Sequence, residues 1–245
     1  MGEKQTIEGR RPVLEALRAG TEISRLVLQK GAHGNTLEEI LALARQSAVP
    51  TEFKDRLALD RLATTANHQG VLAETVSFRY TPFHQLLSGK DGESAFLLFL
   101  DHLQDPHNLG ALLRTAYAAG CQGVVIPERR AAQVTSAAVR TACGAAEHLP
   151  VARVVNVSRC LEECKEAGWW VYGADMAGKM LYTAADYRGN TVLVIGGEGK
   201  GLSRLVKEKC DQLVSLPMKG KLASLNASVA GALLIYEVFR QREGF

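Results

Sequence analysis

Short apolar runs alternate with amphipathic stretches along most of the chain. In 7–18, Val13, Leu14 and Leu17 fall at helical spacing, with Pro12 tolerable in a first turn. The pattern then predicts a strand over 23–28 and an amphipathic helix over 37–45 with Ile40, Leu41 and Ala44 inward. A short strand over 49–53, a helical turn over 57–62 and a strand over 71–76 complete an alternating α/β unit of roughly 75 residues. The texture changes at 79–94, where Pro82, Gly89 and Gly92 interrupt a helical turn at 83–87. This predicts domains over 1–77 and 94–245, joined by a linker over 78–93.

In the second part, 96–100 (FLLFL) is apolar throughout, as in a parallel strand covered on both faces. It ends in DHLQDPHN, and a helix from Leu109 carries the stripe Leu109, Leu112, Leu113 and Ala116, stopping at Gly120. Further strands are predicted over 123–126, 152–155, 169–174, 191–195 and 213–216, with helices over 133–143, 158–167, 203–210 and at the C-terminus. Such β-α alternation implies a parallel sheet with helices on both sides. Ligands of these sheets gather beyond the carboxyl ends of the strands, which singles out Asn108, Asp175, Glu198 and the 218–226 loop. In the last stretch a strand stops at Pro217, and a loop with Lys219, Gly220 and Lys221 leads to Ser224-Leu225-Asn226. The helix that follows carries no charge until Glu237, so it needs burial all round. Ser224 and Asn226 stand at its start, where they can cap it or meet a ligand.

Composition narrows the function classes. The 245 residues are 47% hydrophobic and 22% charged, an ordinary globular balance. Net charge is only +3, so any polyanion site is a local patch. Arg10 and Arg11, beside a helix N-terminus, and the polar turn Asn67-His68-Gln69-Gly70 are the candidate phosphate contacts of the first unit. No apolar run reaches the roughly 18–20 residues of a membrane span, and the start MGEKQTIEGRR lacks a signal-peptide core. The five cysteines make no CxxC and no metal-ligand spacing, which predicts reduced core thiols, no metal and a cytoplasmic protein.

The run Gly196-Gly197-Glu198-Gly199-Lys200-Gly201 closes an apolar strand but matches neither the Walker pattern nor GxGxxG. ATP hydrolysis and nicotinamide chemistry therefore lack their signatures. What remains is a loop whose backbone can approach a ligand closely, with one carboxylate inside it.

Three separated pieces now stand in order: Asp105-Pro106-x-Asn108-x-Gly110-x3-Arg114, Gly196-x-Glu198-Gly199-x-Gly201-Leu202, and Leu216-Pro217-Met218 with Ser224-Leu225-Asn226-x-Ser228-x-Ala230. Together they resemble the three motifs of the SpoU (TrmH-type) branch of the SPOUT RNA ribose 2′-O-methyltransferases. The resemblance covers 94–245, and the unit before it is similar to the L30e-like substrate-binding domain of the RlmB-type subgroup. It implies a C-terminal trefoil-knot domain, an exception to the rule against threading. S-adenosylmethionine would lie bent in the knot against Ala174, Gly196, Gly197, Leu216, Met218 and Leu225. A homodimer with active sites near its interface is also implied.

Arg114 is the catalytic residue by resemblance, proposed in the family as general base. A guanidinium keeps its proton above about pH 12, so clamping a phosphate and stabilising the developing alkoxide suit it better. Asn108, Glu198, Ser224 and Asn226 match the remaining active-site positions. The substrate implied is RNA, with a guanosine of 23S rRNA favoured because basic terminal extensions typical of tRNA D-loop enzymes are absent. A tRNA enzyme, a resistance-conferring rRNA methyltransferase and a non-catalytic ribosome-assembly factor stay open.

Overall fold

The computed structural model describes residues 4–21, 23–65, 67–76, 78–87, 94–199, 201–219 and 224–244. It divides into two compact units, Met1–Arg79 and Tyr80–Phe245.

The first unit runs β1 (Lys4–Glu8), α1 (Arg10–Arg18), β2 (Ile23–Gln29), α2 (Asn35–Gln46), β3 (Thr51–Lys54), α3 (Arg56–Leu62) and β4 (Val71–Val76). Its sheet has the order β1-β4-β2-β3, with only β2–β3 parallel. Helices α1 and α2 bury Val13, Leu17, Leu37 and Ile40 against Leu26 and Leu28 of β2. The helix expected over 7–18 is therefore split. Gly9, at φ 95°, ends β1 and opens α1, a left-handed turn that suits glycine. Glu8 ties the sheet edge to the 64–65 turn by accepting from the backbone N–H and hydroxyl of both Thr64 and Thr65.

The second unit runs α4 (Phe83–Leu87), β5 (Phe96–Asp101), α5 (Pro106–Ala118), β6 (Gly123–Pro127), α6 (Ser136–Ala142), α7 (Ala145–His148), β7 (Val151–Val154), α8 (Val157–Glu166), β8 (Trp170–Ala174), β9 (Met180–Leu181), β10 (Thr191–Gly196), α9 (Arg204–Lys209), β11 (Gln212–Ser215) and α10 (Ala227–Glu243). Part of the expected linker belongs here, since Leu86 and Phe83 of α4 pack into this core; 88–93 lie outside the described residues. The predicted helix over 133–143 starts later, at Ser136, and ends at Ala142, where left-handed Cys143 and Gly144 lead into α7, which was not foreseen. Strand β9, two residues long, was not foreseen.

The sheet order is β7-β6-β5-β10-β8-β11-β9, and every pairing is parallel. All six residues of β5 are buried, as a strand sandwiched between helix layers requires. From β5 the chain winds outward through β6 and β7; its return places β10, β8 and β11 on the other side. The order thus reverses between β5 and β10, and the carboxyl ends of those strands flank the crevice where doubly wound sheets bind ligands. Helix α10 returns to this centre and is moored at its far end. There, half-buried Arg242 donates to the carbonyls of Ser94, Ala95, Tyr187 and Gly189.

Candidate functional site

The crevice is built by local chemistry at each strand end. After β5, Asp105 caps α5 by accepting from the His107 N–H at 2.9 Å, and Pro106 occupies the first helical turn. Asn108 consequently lies inside the first turn of α5, not in the loop before it, and is buried. Its Nδ2 donates to Glu198 Oε1. Across the crevice, Asn226 caps α10 through Oδ1, which accepts from the N–H groups of Ser228 at 2.9 Å and Val229 at 3.3 Å. Its Nδ2 lies 3.5 Å from the same Glu198 oxygen. Two amides from two helix starts thus converge on one carboxylate in the glycine loop.

That loop is tight by necessity. A Cβ on Gly196 would stand 2.2 Å from the Gly201 carbonyl carbon, and one on Gly197 2.4 Å from the His102 oxygen. Both close approaches are to backbone, so no side chain fits. Beside the loop opens a cleft of about 380 Å³ lined by all six expected cofactor residues, Ala174, Gly196, Gly197, Leu216, Met218 and Leu225. Ser224 and Glu198 line it as well. Ile195, Val214 and Leu234 add apolar wall, and Asp175 supplies a carboxylate held at 2.6 Å by Lys207 Nζ. Lys207 was not foreseen: it stands on α9, six residues after Gly201, and only the fold brings it to Asp175. A size of several hundred cubic ångströms, apolar walls, exposed glycine backbone and two carboxylates fit an apolar base carried with a cationic group.

Arg114 is placed elsewhere. It lies six residues, about one and two-thirds turns, beyond Asn108, so it faces away from the amide cluster. Its Nη1 is exposed and donates to Cys143 Sγ at 3.4 Å in the corner between α6 and α7. Cys143 is the exposed cysteine; burial pushes the thiols of Cys121, Cys164 and Cys210 up to about 12 and that of Cys160 to about 11. Among the described residues no three metal-ligating side chains converge, and no helix is long and apolar enough to cross a membrane.

In the first unit, Arg10 is committed to its own fold, donating to the carbonyls of Gln69 and His33 at 3.3 and 3.2 Å. Arg11 is exposed on α1. His68 is buried, bonded through Nε2 to Asp60 at 2.8 Å while Nδ1 accepts from the Gly70 N–H at 3.1 Å. Its side chain is thus engaged within the fold, while Asn67 and Gln69 of the same turn are exposed.

The family model described as the SpoU rRNA Methylase family matches residues 95–236. The chain belongs to that family. A second model, described as RNA 2′-O ribose methyltransferase substrate binding, matches residues 6–81. Among relatives, YacO of Bacillus subtilis, a TrmH family tRNA/rRNA methyltransferase by its description, is 43% identical over 236 residues, covering 96% of this chain and 94% of its own. A Staphylococcus aureus protein of the same description is 41% identical, covering 98% and 97%. The solved structure of the SpoU methyltransferase AviRb from Streptomyces viridochromogenes superposes with a TM-score of 0.64 at 26% identity, covering 98% of this chain and 90% of that one. An AdoMet-bound rRNA methyltransferase from Sinorhizobium meliloti gives 0.62 at 26%, covering 97% and 87%. AviRb has also been solved with AdoMet, the methyl donor that SpoU methyltransferases use.

Proposed function

We propose that this SpoU-family protein transfers the methyl group of S-adenosylmethionine to the ribose 2′-hydroxyl of a guanosine in 23S rRNA, acting in the cytoplasm as a homodimer. The observation that carries the reading is the convergence of Asn108 and Asn226 on Glu198, in a glycine loop that forms one wall of the 380 Å³ cleft. Ala174, Leu216, Met218 and Leu225 would hold the donor's base, and the Gly196–Gly197 backbone its ribose. When bound, the donor supplies an electrophilic sulfonium methyl, which the ribose oxygen takes as it gives up its proton.

The protein's own work is positioning. Glu198, fixed by two amides, accepts from the incoming hydroxyl and turns its lone pair toward the cleft. Ser224 lines the cleft beside it, and Asn226 caps α10 at its rim. Arg114, remote from this cluster within one chain, serves the site across the dimer, clamping a phosphate beside the acceptor and stabilising the developing alkoxide. The exposed stripe Val229, Leu233 and Tyr236 on α10 supports such pairing, and α10 packs so closely on α5 that a Cβ at Gly231 would meet Leu112 Cδ2. The trefoil knot belongs to the same reading; the seating of β11 beside β8, with α10 returning to β10, supports it. The first unit, matching a substrate-binding model, would grip the RNA with Arg11 on its exposed face.

Replacing Arg114 by alanine tests the role of that residue. Methyl transfer is expected to fall by at least about a hundredfold, while calorimetric titration shows unchanged S-adenosylmethionine binding. Retained turnover would remove Arg114 from the mechanism.

A further inference from the structure

A second cleft, of about 660 Å³, lies against the glycine loop and shares Gly197, Glu198 and Gly201 with the first. His102, Gln104, Arg130, Leu202 and Ser203 complete its walls. Beside the apolar surface they carry an imidazole, an amide, a hydroxyl and a guanidinium. Arg130 is exposed and has no carboxylate within ion-pair distance among the described residues.

One buried residue fixes three of these walls. Asp101, wholly inaccessible at the end of β5, holds His102 Nδ1 at 2.5 Å through Oδ1 and accepts from the Ser203 N–H at 2.7 Å through Oδ2. Its carbonyl accepts from the Gly197 N–H at 2.8 Å. The Asp101 contact fixes the orientation of the ring through Nδ1. Two wall residues, His102 at φ 58° and Arg130 at φ 56°, hold left-handed backbone that costs a non-glycine residue energy. The cleft is thus pre-shaped rather than a gap between mobile side chains.

We infer that this cleft seats the acceptor nucleotide, with Arg130 on its backbone phosphate and the ribose 2′-hydroxyl turned to Glu198 at the shared wall. The inference rests on the proposed RNA methyl transfer. Direct transfer needs the acceptor oxygen about 3–3.5 Å from the methyl carbon, so the nucleotide must lie against the wall of the donor cleft. Charge then sets its direction. A phosphate is repelled by Glu198 and drawn to Arg130, whereas a hydroxyl can donate to Glu198. A nucleotide laid this way presents its ribose, not its base, to the donor, which accounts for a 2′-O product. The 2′-hydroxyl also distinguishes RNA from DNA at this wall.

The test compares Arg130→Asn with Arg129→Asn. Asparagine tolerates left-handed backbone, so the first change removes the guanidinium without straining the turn. Arg129 is equally exposed but does not line the cleft. Binding of a fluorescein-labelled single-stranded RNA of about ten nucleotides is followed by anisotropy across a salt series, beside the same sequence as DNA. The KM for an rRNA transcript is measured on the same proteins. Arg130→Asn is expected to weaken RNA binding and raise KM by about ten- to a hundredfold, as for loss of one charge-assisted contact, and to lower the salt slope by about 0.7. Arg129→Asn should change each by about twofold or less. Equal effects of the two substitutions would overturn the inference while leaving the proposed function standing. A parent protein that neither binds nor methylates RNA would instead overturn the proposed function.

Discussion

Gly110 sits in the first motif, between Asn108 and Arg114, yet the structure gives it a packing role. Helices α5 and α6 approach so closely there that a Cβ would stand 2.5 Å from the Ala138 carbonyl oxygen and 2.6 Å from Thr141 Cβ. That is roughly an ångström short of ordinary contact. The nearest atom is backbone in a buried helix and cannot swing aside, so Gly110→Ala forces the helices apart. Overpacking of this kind costs about 1–3 kcal/mol, and a blocked backbone places it near the top of that range. Alanine's better helix propensity returns about 1 kcal/mol. The net loss is about 2 kcal/mol, or about 4–8 °C in Tm for a domain of this size. Scanning calorimetry measures it. Gly231→Ala is the matched control, because its Cβ would meet only the tip of Leu112, at 2.4 Å from Cδ2, which can change rotamer. The reasoning fails if Gly110→Ala melts at or above the parent, or if Gly231→Ala loses more. Because Asn108 is two residues away on the same helix, methyl transfer should also fall in Gly110→Ala at temperatures where the fold persists.

Two further outcomes follow from other parts of the chain. In the first unit, burial alone would raise the Glu8 carboxyl, but the hydrogen bonds from Thr64 and Thr65 outweigh it and bring it from 4.5 to about 2. A depressed folded-state value contributes stability above the ordinary carboxylate range that disappears as pH falls from about 4.5 through 2; Glu8→Gln should therefore melt lower at pH 7 with the gap closing toward pH 2, and a gap constant with pH would refute this. Leu233→Lys, which puts a charge into the exposed α10 stripe, should convert a dimer to a monomer in light scattering; an unchanged dimeric mass would move the interface elsewhere.

Much of this architecture is legible from periodicity, because burial on both faces writes long apolar runs such as Phe96–Asp101. That Ala174, Gly196, Gly197, Leu216 and Met218 would share one cleft was legible too, since they stand at strand ends, and strand ends can be placed from sequence. Pieces set by few residues were not. β9 has two residues and no period to detect, and α7 has four residues set off by left-handed Cys143, a conformation that cysteine does not advertise. The start of α5 was misplaced although Asp105-Pro106 is a capping signature; the polar DHLQDPHN run hid it. Local sequence does not show that Asp60 engages His68, or that Gln69 and His33 engage Arg10. Lys207 and Arg130 reach their clefts by tertiary packing alone. Arg114 joins the motif in sequence, but helical periodicity turns it away from Asn108 within one chain.

The most direct test of the account is incubation of the protein with methyl-labelled S-adenosylmethionine and separate rRNA and tRNA transcripts, with the modified nucleotide mapped afterwards. The account predicts label in 23S rRNA as a 2′-O-methylguanosine, abolished by Arg114→Ala. Label on a base, label on tRNA alone, or no label on any RNA would contradict it.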